Sequence, residues 1–338
     1  MARSLSTKRE PGAWRRFETI SIRDAAERIA GVVRRTRLLA VDPGDERIEL
    51  RLKLENEQET GAFKARGAWN QIAQLSDTQR ASGVVCTSSG NHGRALAWAA
   101  RRGGVHAAIC MPADAYPNKI QACRDEEAEV VLCETRAAAE VECLERVAAG
   151  ATLVHPYDAE NTLQGAGTVG LEIAEDWPEV ELCLIPVGGG GLLAGSSLAL
   201  RGELGEDVLI FGVEPRGAPS MLLGVEAGEP VPLRTIETEV QGLCPPSAGK
   251  INVAICSTSI DAVHLVEDAG VFAAQARLVR AGHQVEPAGA AASSLVFSGA
   301  LPAELIATRT AGNPLRVCAV VSGGNADPAQ LAAIKEQA

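Results

Sequence analysis

The sequence predicts an α/β protein built on two doubly wound parallel sheets. Two observations lead to this prediction: short apolar, β-branched runs alternate with Ala-rich helical stretches, and the alternation forms two separate series. A chain of 338 residues with 46% hydrophobic content is long enough to bury a sizeable core and favours two domains over one. Because sheets of this kind bind ligands beyond the carboxyl ends of their strands, we expect a site in the crevice between the two layers.

The first series occupies the segment from about residue 80 to residue 160. Its strands are predicted at 84–86, 105–110, 130–133 and 152–155, and its helices at 91–102, 117–128 and 136–149. The second series has predicted strands at 182–187, 208–213 and 317–321, and predicted helices at 192–203, 267–281 and 287–298. Residues 1–20 are predicted to be a loosely held arm.

Charge and composition exclude several classes of protein. A net charge of −11 argues against nucleic acid or an anionic membrane surface as partner. The sequence has no run of eighteen apolar residues and no apolar segment near its start, so we expect neither a transmembrane helix nor a signal peptide. Nine cysteines without a Cys-x-x-Cys pair indicate reduced thiols, and therefore a cytoplasmic protein.

Lys64 is a candidate nucleophile or base. It lies between Phe63 and Ala65, directly after the breaker Thr60-Gly61. A lysine in a partly apolar pocket loses solvation of its ammonium form, so its pKa falls and the neutral amine becomes available for Schiff-base chemistry. An exposed helical lysine beside a buried phenylalanine is the alternative interpretation of this segment taken alone.

The segment Thr87–Gly93, which reads Thr-Ser-Ser-Gly-Asn-His-Gly, joins a predicted strand to an Ala-rich predicted helix. Unpaired backbone N–H groups at the start of a helix form a seat for a carboxylate or a phosphate. The two serines and Asn91 add side-chain donors at the same place. An ordinary helix-cap cluster is the alternative, although His92-Gly93 is unusual for a cap alone.

Two glycine-rich turns follow buried strands later in the chain. Gly188–Gly191 lies between the strand at 182–187 and the helix at 192–203, where four glycines let the backbone approach a dianion without any Cβ in the way. The spacing fits neither a dinucleotide fingerprint nor a P-loop, so we expect a phosphate without a nucleotide; a flexible packing turn is the alternative. Ser322–Asn325, which reads Ser-Gly-Gly-Asn, follows the apolar run 317–321 in the same way.

Together, these four segments resemble the β-family of pyridoxal-phosphate enzymes, which have the tryptophan-synthase-like fold, and within it the serine/threonine dehydratases and serine racemases. The resemblance runs from about Glu55 to Asn325. It implies a small domain at 80–160, inserted in a large cofactor-binding domain formed by 1–79 and 161–338. It also implies that pyridoxal 5′-phosphate binds in the cleft between these domains, and that the enzyme is a homodimer acting on a small amino acid.

The resemblance further implies roles for individual residues. Lys64 would form the Schiff base with the cofactor, with Phe63 packed beside the ring and Asn91 hydrogen bonded to the ring 3-hydroxyl. Gly242 would lie over the other face of the ring, and Ser322 would meet the pyridine nitrogen. The residues that would cradle the 5′-phosphate are Gly188, Gly189, Gly190, Gly191 and Leu192. The residues that would hold the substrate carboxylate are Ser88, Ser89, Gly90, Asn91 and His92.

The activity that the resemblance implies is elimination of water from a β-hydroxy amino acid such as threonine or serine, which gives a 2-oxo acid and ammonia. Ser89 leaves a second possibility open, because the matching serine of the racemases faces Cα opposite the lysine and delivers a proton there. A hydroxyaspartate-type dehydratase and a β-replacement synthase are further alternatives on the same scaffold. A non-catalytic ligand-binding homologue is disfavoured because Lys64 is present.

Two glutamates carry separate expectations. Glu214 matches a divalent-cation ligand of several relatives, together with the carbonyl of Ala218, but Ser220 stands where those relatives have an aspartate. Losing one hard anionic oxygen weakens Mg²⁺ or Ca²⁺ binding, so no metal is predicted. Glu286 directly precedes Pro287 and is predicted to be a structural charge at a helix start.

Overall fold

A computed structural model describes residues 4–6 and 9–336 of the chain. Within these residues the strands are β1 Ser4–Ser6, β2 Leu38–Val41, β3 Ile48–Leu54, β4 Val84–Thr87, β5 Ala107–Pro112, β6 Glu129–Cys133, β7 Thr152–Leu153, β8 Leu182–Pro186, β9 Leu209–Pro215, β10 Ala262–Val266 and β11 Leu315–Val321.

The α-helices of the same residues are α1 Ile22–Ile29, α2 Lys64–Ala73, α3 Asp77–Ser82, α4 Asn91–Gly103, α5 Pro117–Arg124, α6 Arg136–Ala148, α7 Glu160–Asp176, α8 Gly191–Leu204, α9 Ser220–Ala227, α10 Lys250–Ser259, α11 Asp268–Arg280, α12 Pro287–Phe297, α13 Ala303–Ile306 and α14 Pro328–Glu336. Two short 3₁₀ helices occupy Ala13–Phe17 and Glu55–Glu57. None of the described helices has the length and apolar character needed to cross a bilayer.

The larger sheet has seven strands in the order β1-β10-β9-β8-β11-β3-β2. Its five inner strands run parallel, and the edge strands β1 and β2 are antiparallel to their neighbours. Both faces are covered, as alternation along β8 shows: Cys183 and Ile185 pack in the cluster with α7, α8 and α10, whereas Leu182 and Leu184 pack in the cluster with α11 and α12. Such two-sided burial is typical of doubly wound sheets.

The smaller sheet has four parallel strands in the order β6-β5-β4-β7, all within residues 84–153. Helix α6 covers one face through Ala139 and Cys143, and helices α2 and α4 cover the other. The predicted architecture of two doubly wound parallel α/β layers is therefore confirmed, with antiparallel edge strands as the difference. Because α2 also packs on α7 of the larger layer, it lies where the two layers meet.

Local hydrogen bonds explain where the predicted bounds differ. The strand predicted at 152–155 ends at Leu153, because His155 Nδ1 accepts bonds from the backbone N–H groups of Tyr157 and Asp158 and turns the chain. The helix predicted at 117–128 ends at Arg124, since the next residues form a turn in which Glu127 has φ 61°.

The prediction of a loosely held arm at 1–20 is wrong for residues 9–20. Trp14 is buried, and its indole N–H donates to Glu206 at 2.9 Å. Arg9 forms an ion pair with Asp261 at 2.9 Å. For residues 4–6, the backbone pairs with β10 at the edge of the sheet. Residues 1–3 and 7–8 lie outside the described part of the chain, and the prediction for them is untested.

Candidate active site

Lys64 is the first residue of α2, and its side chain is half-buried. Its Nζ donates a hydrogen bond to the backbone carbonyl of Pro156 at 2.6 Å and lies 4.9 Å from the centroid of the Phe63 ring. Burial lowers the pKa of Lys64 from 10.5 to about 8, because desolvation penalises the ammonium form. An amine with this pKa can act as a nucleophile or as a base near neutral pH.

The helix that carries Lys64 is anchored by a buried ion cluster two residues further on. Arg66 Nη2 lies 2.8 Å from Glu55 Oε1, and Arg66 Nη1 lies 2.6 Å from Glu172 Oε1. Lys53 Nζ completes the cluster at 2.6 Å from Glu172 Oε2. Removing one partner of such a set leaves an uncompensated buried charge, which costs about 3–5 kcal/mol. The cluster therefore ties α2 to β3 and α7 and fixes the position of Lys64 at the start of α2.

The glycine loop leads from β8 into α8, with Gly191 and Leu192 as the first helical residues. A Cβ on Gly189 would come within 2.2 Å of the Tyr157 ring, and Gly190 has φ 96°, so side chains are excluded from both positions. Among the described residues, no side chain caps the start of α8. Its first backbone N–H groups and the helix dipole are therefore available to an anion.

The chain segment after β7 connects Lys64 to this loop. Pro156 accepts the hydrogen bond from Lys64, and the next residue, Tyr157, packs its ring against Gly189. Asn252 Nδ2 donates to the carbonyls of both Tyr157, at 3.0 Å, and Gly189, at 2.8 Å. The Lys64 amine and the glycine loop therefore both contact the short segment formed by Pro156 and Tyr157.

A second set of contacts joins other predicted cofactor-binding residues to one another. The Phe63 N–H donates to the Ser322 carbonyl at 3.0 Å, and Ser322 Oγ, which is buried, lies 3.4 Å from the Ala288 carbonyl. Gly242 has φ 96°, and a Cβ there would lie 3.1 Å from Ala288 Cβ. A Cβ on Gly188 would lie 2.9 Å from the Gly242 carbonyl. These contacts link the residues around Lys64 to the glycine loop from the other side.

The predicted carboxylate seat lies at the N-terminus of α4. Ser88, Ser89 and Gly90 form the half-buried loop between β4 and α4, and Asn91 is the first helical residue. Gly90 flanks the helix without a side-chain cap, and its own N–H donates to Ser88 Oγ at 3.3 Å. This second helix start is thus also available to an anion.

His92 is held in one neutral form beside Lys64. Its Nε2 lies 2.8 Å from the carbonyl of Val154, which only accepts, so Nε2 carries the proton. Burial, with a smaller contribution from the Lys64 charge, lowers the pKa of His92 to about 3. A neutral imidazole adds no positive charge beside Lys64.

Glu286 directly precedes α12, so its predicted place at a helix start is correct, but its side chain makes no hydrogen bond to the start of that helix. The carboxylate instead accepts a hydrogen bond from Asn91 Nδ2 at 2.6 Å, and Asn91 Oδ1 accepts one from Asn325 Nδ2 at 2.8 Å. Burial raises the pKa of Glu286 to about 7. A general pattern could not reveal this contact, because it joins residues almost two hundred positions apart.

Glu214 is fully buried, and its carboxylate takes donors from the chain itself. Ser220 Oγ lies 3.1 Å from Glu214 Oε1, and the N–H groups of Met221 and Leu222 donate at 2.7 and 3.0 Å. Burial raises the pKa of Glu214 to about 8, while these three hydrogen bonds lower it. The carboxylate caps the first turn of α9; the expectation that no metal binds here stays a prediction.

The structure therefore brings the predicted residues to the edges of one cleft, from both layers. Ser89 is joined to the other predicted residues only through its neighbours Ser88 and Gly90 in the loop. Sequence reasoning assigned no role to Pro156 or Asn252. Pro156 follows a parallel strand, and that position at the carboxyl end of β7 could have singled it out. Nothing in the sequence marks Asn252.

The chemistry of this cleft fits pyridoxal 5′-phosphate. An aldehyde needs a neutral amine, which Lys64 offers. A phosphate dianion needs backbone donors approached without side chains, and the start of α8 with Gly189 and Gly190 provides them. An uncharged hydroxyl, Ser322, lies at the end of β11 beside Phe63.

Comparison with known proteins gives the same assignment. The chain is 34% identical over 316 residues to an L-threonine ammonia-lyase of Thermotoga maritima, covering 90% of this chain and 75% of that protein. It is 36% identical over 283 residues to a phenylserine dehydratase of Ralstonia pickettii, covering 83% and 84%. The solved structure of threonine deaminase isoform 2 from Solanum lycopersicum superposes with a TM-score of 0.88 at 29% identity, covering 99% of this chain and 92% of that one. The model of the family described as "Pyridoxal-phosphate dependent enzyme" matches residues 29–323. This chain therefore belongs to the pyridoxal-phosphate-dependent enzymes, and its cofactor is pyridoxal 5′-phosphate.

Proposed function

We propose that this enzyme is an ammonia-lyase that eliminates water from a β-hydroxy amino acid of the threonine or serine type, giving a 2-oxo acid and ammonia. The observation on which this rests is the placement of Lys64, whose neutral amine lies in a cleft bordered by two uncapped helix starts. One helix start suits the cofactor phosphate and the other suits the substrate carboxylate. The named activities of the relatives support the same reaction class.

Bound in the cleft, pyridoxal 5′-phosphate supplies an electron sink that makes the Cα–H bond of the substrate acidic. The start of α4, from Ser88 to His92, holds the substrate carboxylate. Lys64 takes the Cα proton, because its lowered pKa keeps part of the amine neutral near pH 7. The β-hydroxyl takes up a proton, in balance with the one that Lys64 removed, and leaves as water. Hydrolysis of the resulting unsaturated amine then gives the 2-oxo acid and ammonia.

Around the cofactor, the roles proposed from the sequence have a consistent arrangement. Gly188 to Leu192 would hold the phosphate at the start of α8, and Gly242, which has φ 96°, would border the ring. Ser322 offers the pyridine nitrogen a single neutral hydrogen bond in place of a charged one. A neutral partner favours rapid loss of the β-hydroxyl over transamination, because it leaves the nitrogen mostly unprotonated.

The decisive experiment measures 2-oxo acid and ammonia release from L- and D-threonine, L- and D-serine, threo-3-phenylserine and 3-hydroxyaspartate. Equimolar 2-oxo acid and ammonia from at least one of them supports the proposal, and Lys64→Ala provides the inactive control. Chiral analysis of the remaining substrate separates racemisation, which Ser89 would serve, from elimination. Formation of a new amino acid from O-acetylserine and sulfide, without 2-oxo acid release from any hydroxy amino acid, would identify a β-replacement synthase instead.

We also propose that the chain divides into a small domain at 80–160 and a large domain formed by the rest, since the four-stranded sheet lies wholly within 84–153. We further propose a homodimer in the cytoplasm. Multi-angle light scattering tests the dimer, and fractionation of the native cells tests the location.

A further inference from the structure

A chain of four polar side chains crosses the cleft at Asn91. Arg94 Nη1 donates to Asn325 Oδ1 at 2.8 Å, and Asn325 Nδ2 donates to Asn91 Oδ1, also at 2.8 Å. Asn91 Nδ2 in turn donates to Glu286 Oε1 at 2.6 Å. Arg94 and Asn91 belong to α4, on the smaller layer, whereas Asn325 and Glu286 lie at the end of β11 and the start of α12, on the larger one.

The direction of every hydrogen bond in this chain is fixed by Arg94 at one end, and at the other end by Glu286 in its ionised form. A guanidinium only donates and an ionised carboxylate only accepts, whereas an amide can present either its oxygen or its nitrogen. Turning the amide of Asn325 would place its NH₂ against Arg94 and its oxygen against the carbonyl of Thr60, to which Nδ2 now donates at 2.9 Å. Turning the amide of Asn91 would place oxygen against carboxylate. Arg94 at one end and Glu286 at the other therefore oppose rotation of the amides of Asn325 and Asn91.

Two glycines make room for this chain. A Cβ on Gly61, which has φ 73°, would lie 2.6 Å from Asn325 Oδ1. A Cβ on Gly323 would lie 2.3 Å from Glu286 Oε1 and 3.1 Å from Asn91 Nδ2. The glycines come from the segments before Lys64 and after Ser322, so the polar chain is built into the walls of the cleft.

We propose that Arg94 and Glu286 are positioning residues that hold Asn91 as a hydrogen-bond donor to the cofactor. With its oxygen taken by Asn325 and one N–H taken by Glu286, Asn91 has one N–H left to offer. That group suits an oxygen acceptor such as the ring 3-hydroxyl in its ionised form. This inference rests on the proposed cofactor-binding role of Asn91.

The surroundings of Glu286 are consistent with an acceptor role. The backbone N–H of Asn325 also donates to its carboxylate, and Lys119 of α5 contributes a favourable charge. The hydrogen bond from Asn91 is the third favourable interaction of this carboxylate. Burial acts in the opposite direction and raises the pKa of Glu286 to about 7, whereas each of these interactions favours the ionised carboxylate, which accepts and does not donate.

The test compares variants that keep or lose the fixed direction. Glu286→Gln and Arg94→Gln replace an end of fixed direction with an amide that can both donate and accept, whereas Arg94→Lys keeps a donor-only end. Asn91→Ala removes the proposed contact itself. For each variant, the dissociation constant of pyridoxal phosphate is measured by fluorescence titration and the visible absorption band of the holoenzyme is recorded. Thermal unfolding of each variant shows that it is folded.

We expect Asn91→Ala, Glu286→Gln and Arg94→Gln each to weaken cofactor binding roughly fivefold, the equivalent of one net hydrogen bond, and to move the absorption band. Arg94→Lys should bind like the parent. If Asn91→Ala weakens binding but both glutamine variants behave like the parent, the positioning role is refuted. If Arg94→Lys is as weak as Arg94→Gln, Arg94 acts through packing and not as a donor. If Asn91→Ala binds the cofactor like the parent, the proposed role of Asn91 itself fails.

Discussion

The reactivity of Lys64 toward aldehydes should titrate near pH 8. Burial lowers its pKa from 10.5 to about 8. At pH 7 the neutral fraction of an ordinary lysine is about one in three thousand, and that of Lys64 is about one in eleven, a gain of roughly 300-fold; each pKa unit corresponds to about 1.4 kcal/mol. Because only the neutral amine attacks an aldehyde, this gain passes directly into the rate of cofactor capture.

The assay is stopped-flow capture of pyridoxal phosphate by the apoenzyme, followed by absorbance between pH 6 and pH 10.5. The second-order rate constant should rise with pH up to about pH 8 and then level off. A small lysine amide, with an ordinary pKa, serves as the reference and should rise throughout this range. Lys64→Ala should show no saturable capture. Borohydride reduction and peptide mapping should place the adduct on Lys64.

Two results would refute this reasoning. A capture rate that rises without levelling off to pH 10 would mean that the amine is solvated and that the pocket formed with Phe63 and Pro156 does not desolvate it. An adduct mapped to another lysine would remove Lys64 from the site altogether.

Three further perturbations test other parts of the structure. Arg66→Met should lower the free energy of unfolding by about 3–5 kcal/mol, because it leaves Glu55 without its ion partner and Glu172 paired with Lys53 alone, as urea denaturation would show. The pKa of Glu214 is about 8 in the folded protein and 4.5 ordinarily, so the unfolded protein loses this proton at lower pH than the folded one. The free energy of unfolding of the wild type should therefore fall by up to about 5 kcal/mol as pH rises from 4.5 to 8. The stability of Glu214→Gln should not fall in this way. If urea denaturation gives the variant and the parent the same dependence of stability on pH, this prediction is contradicted. Ser322→Asp should slow 2-oxo acid release at least tenfold, because a carboxylate would keep the pyridine nitrogen protonated. Ser322→Ala should slow it about fivefold, the equivalent of one neutral hydrogen bond. An Asp variant as fast as the parent would place Ser322 away from the ring.

The sequence by itself determined the features that depend on local order along the chain. Apolar runs next to glycine predicted β4, β8 and β11 closely, because strands buried on both faces are continuous apolar segments. The alternating charges of β3 hid a strand, since Lys53 and Arg51 look exposed in sequence although Lys53 is completely buried among ionic partners. Propensity is weak evidence where such tertiary contacts decide burial.

For the site, residue type and spacing were enough to single out Lys64 and Gly188–Gly191, because a desolvated amine and a Cβ-free helix start are local chemical requirements. Only the tertiary structure showed that Pro156 receives the Lys64 hydrogen bond and that the Glu286 carboxylate accepts one from Asn91. These contacts join segments about ninety and two hundred positions apart. Their existence depends on how the two sheets meet, and that arrangement is set by packing of whole layers, which no local pattern encodes.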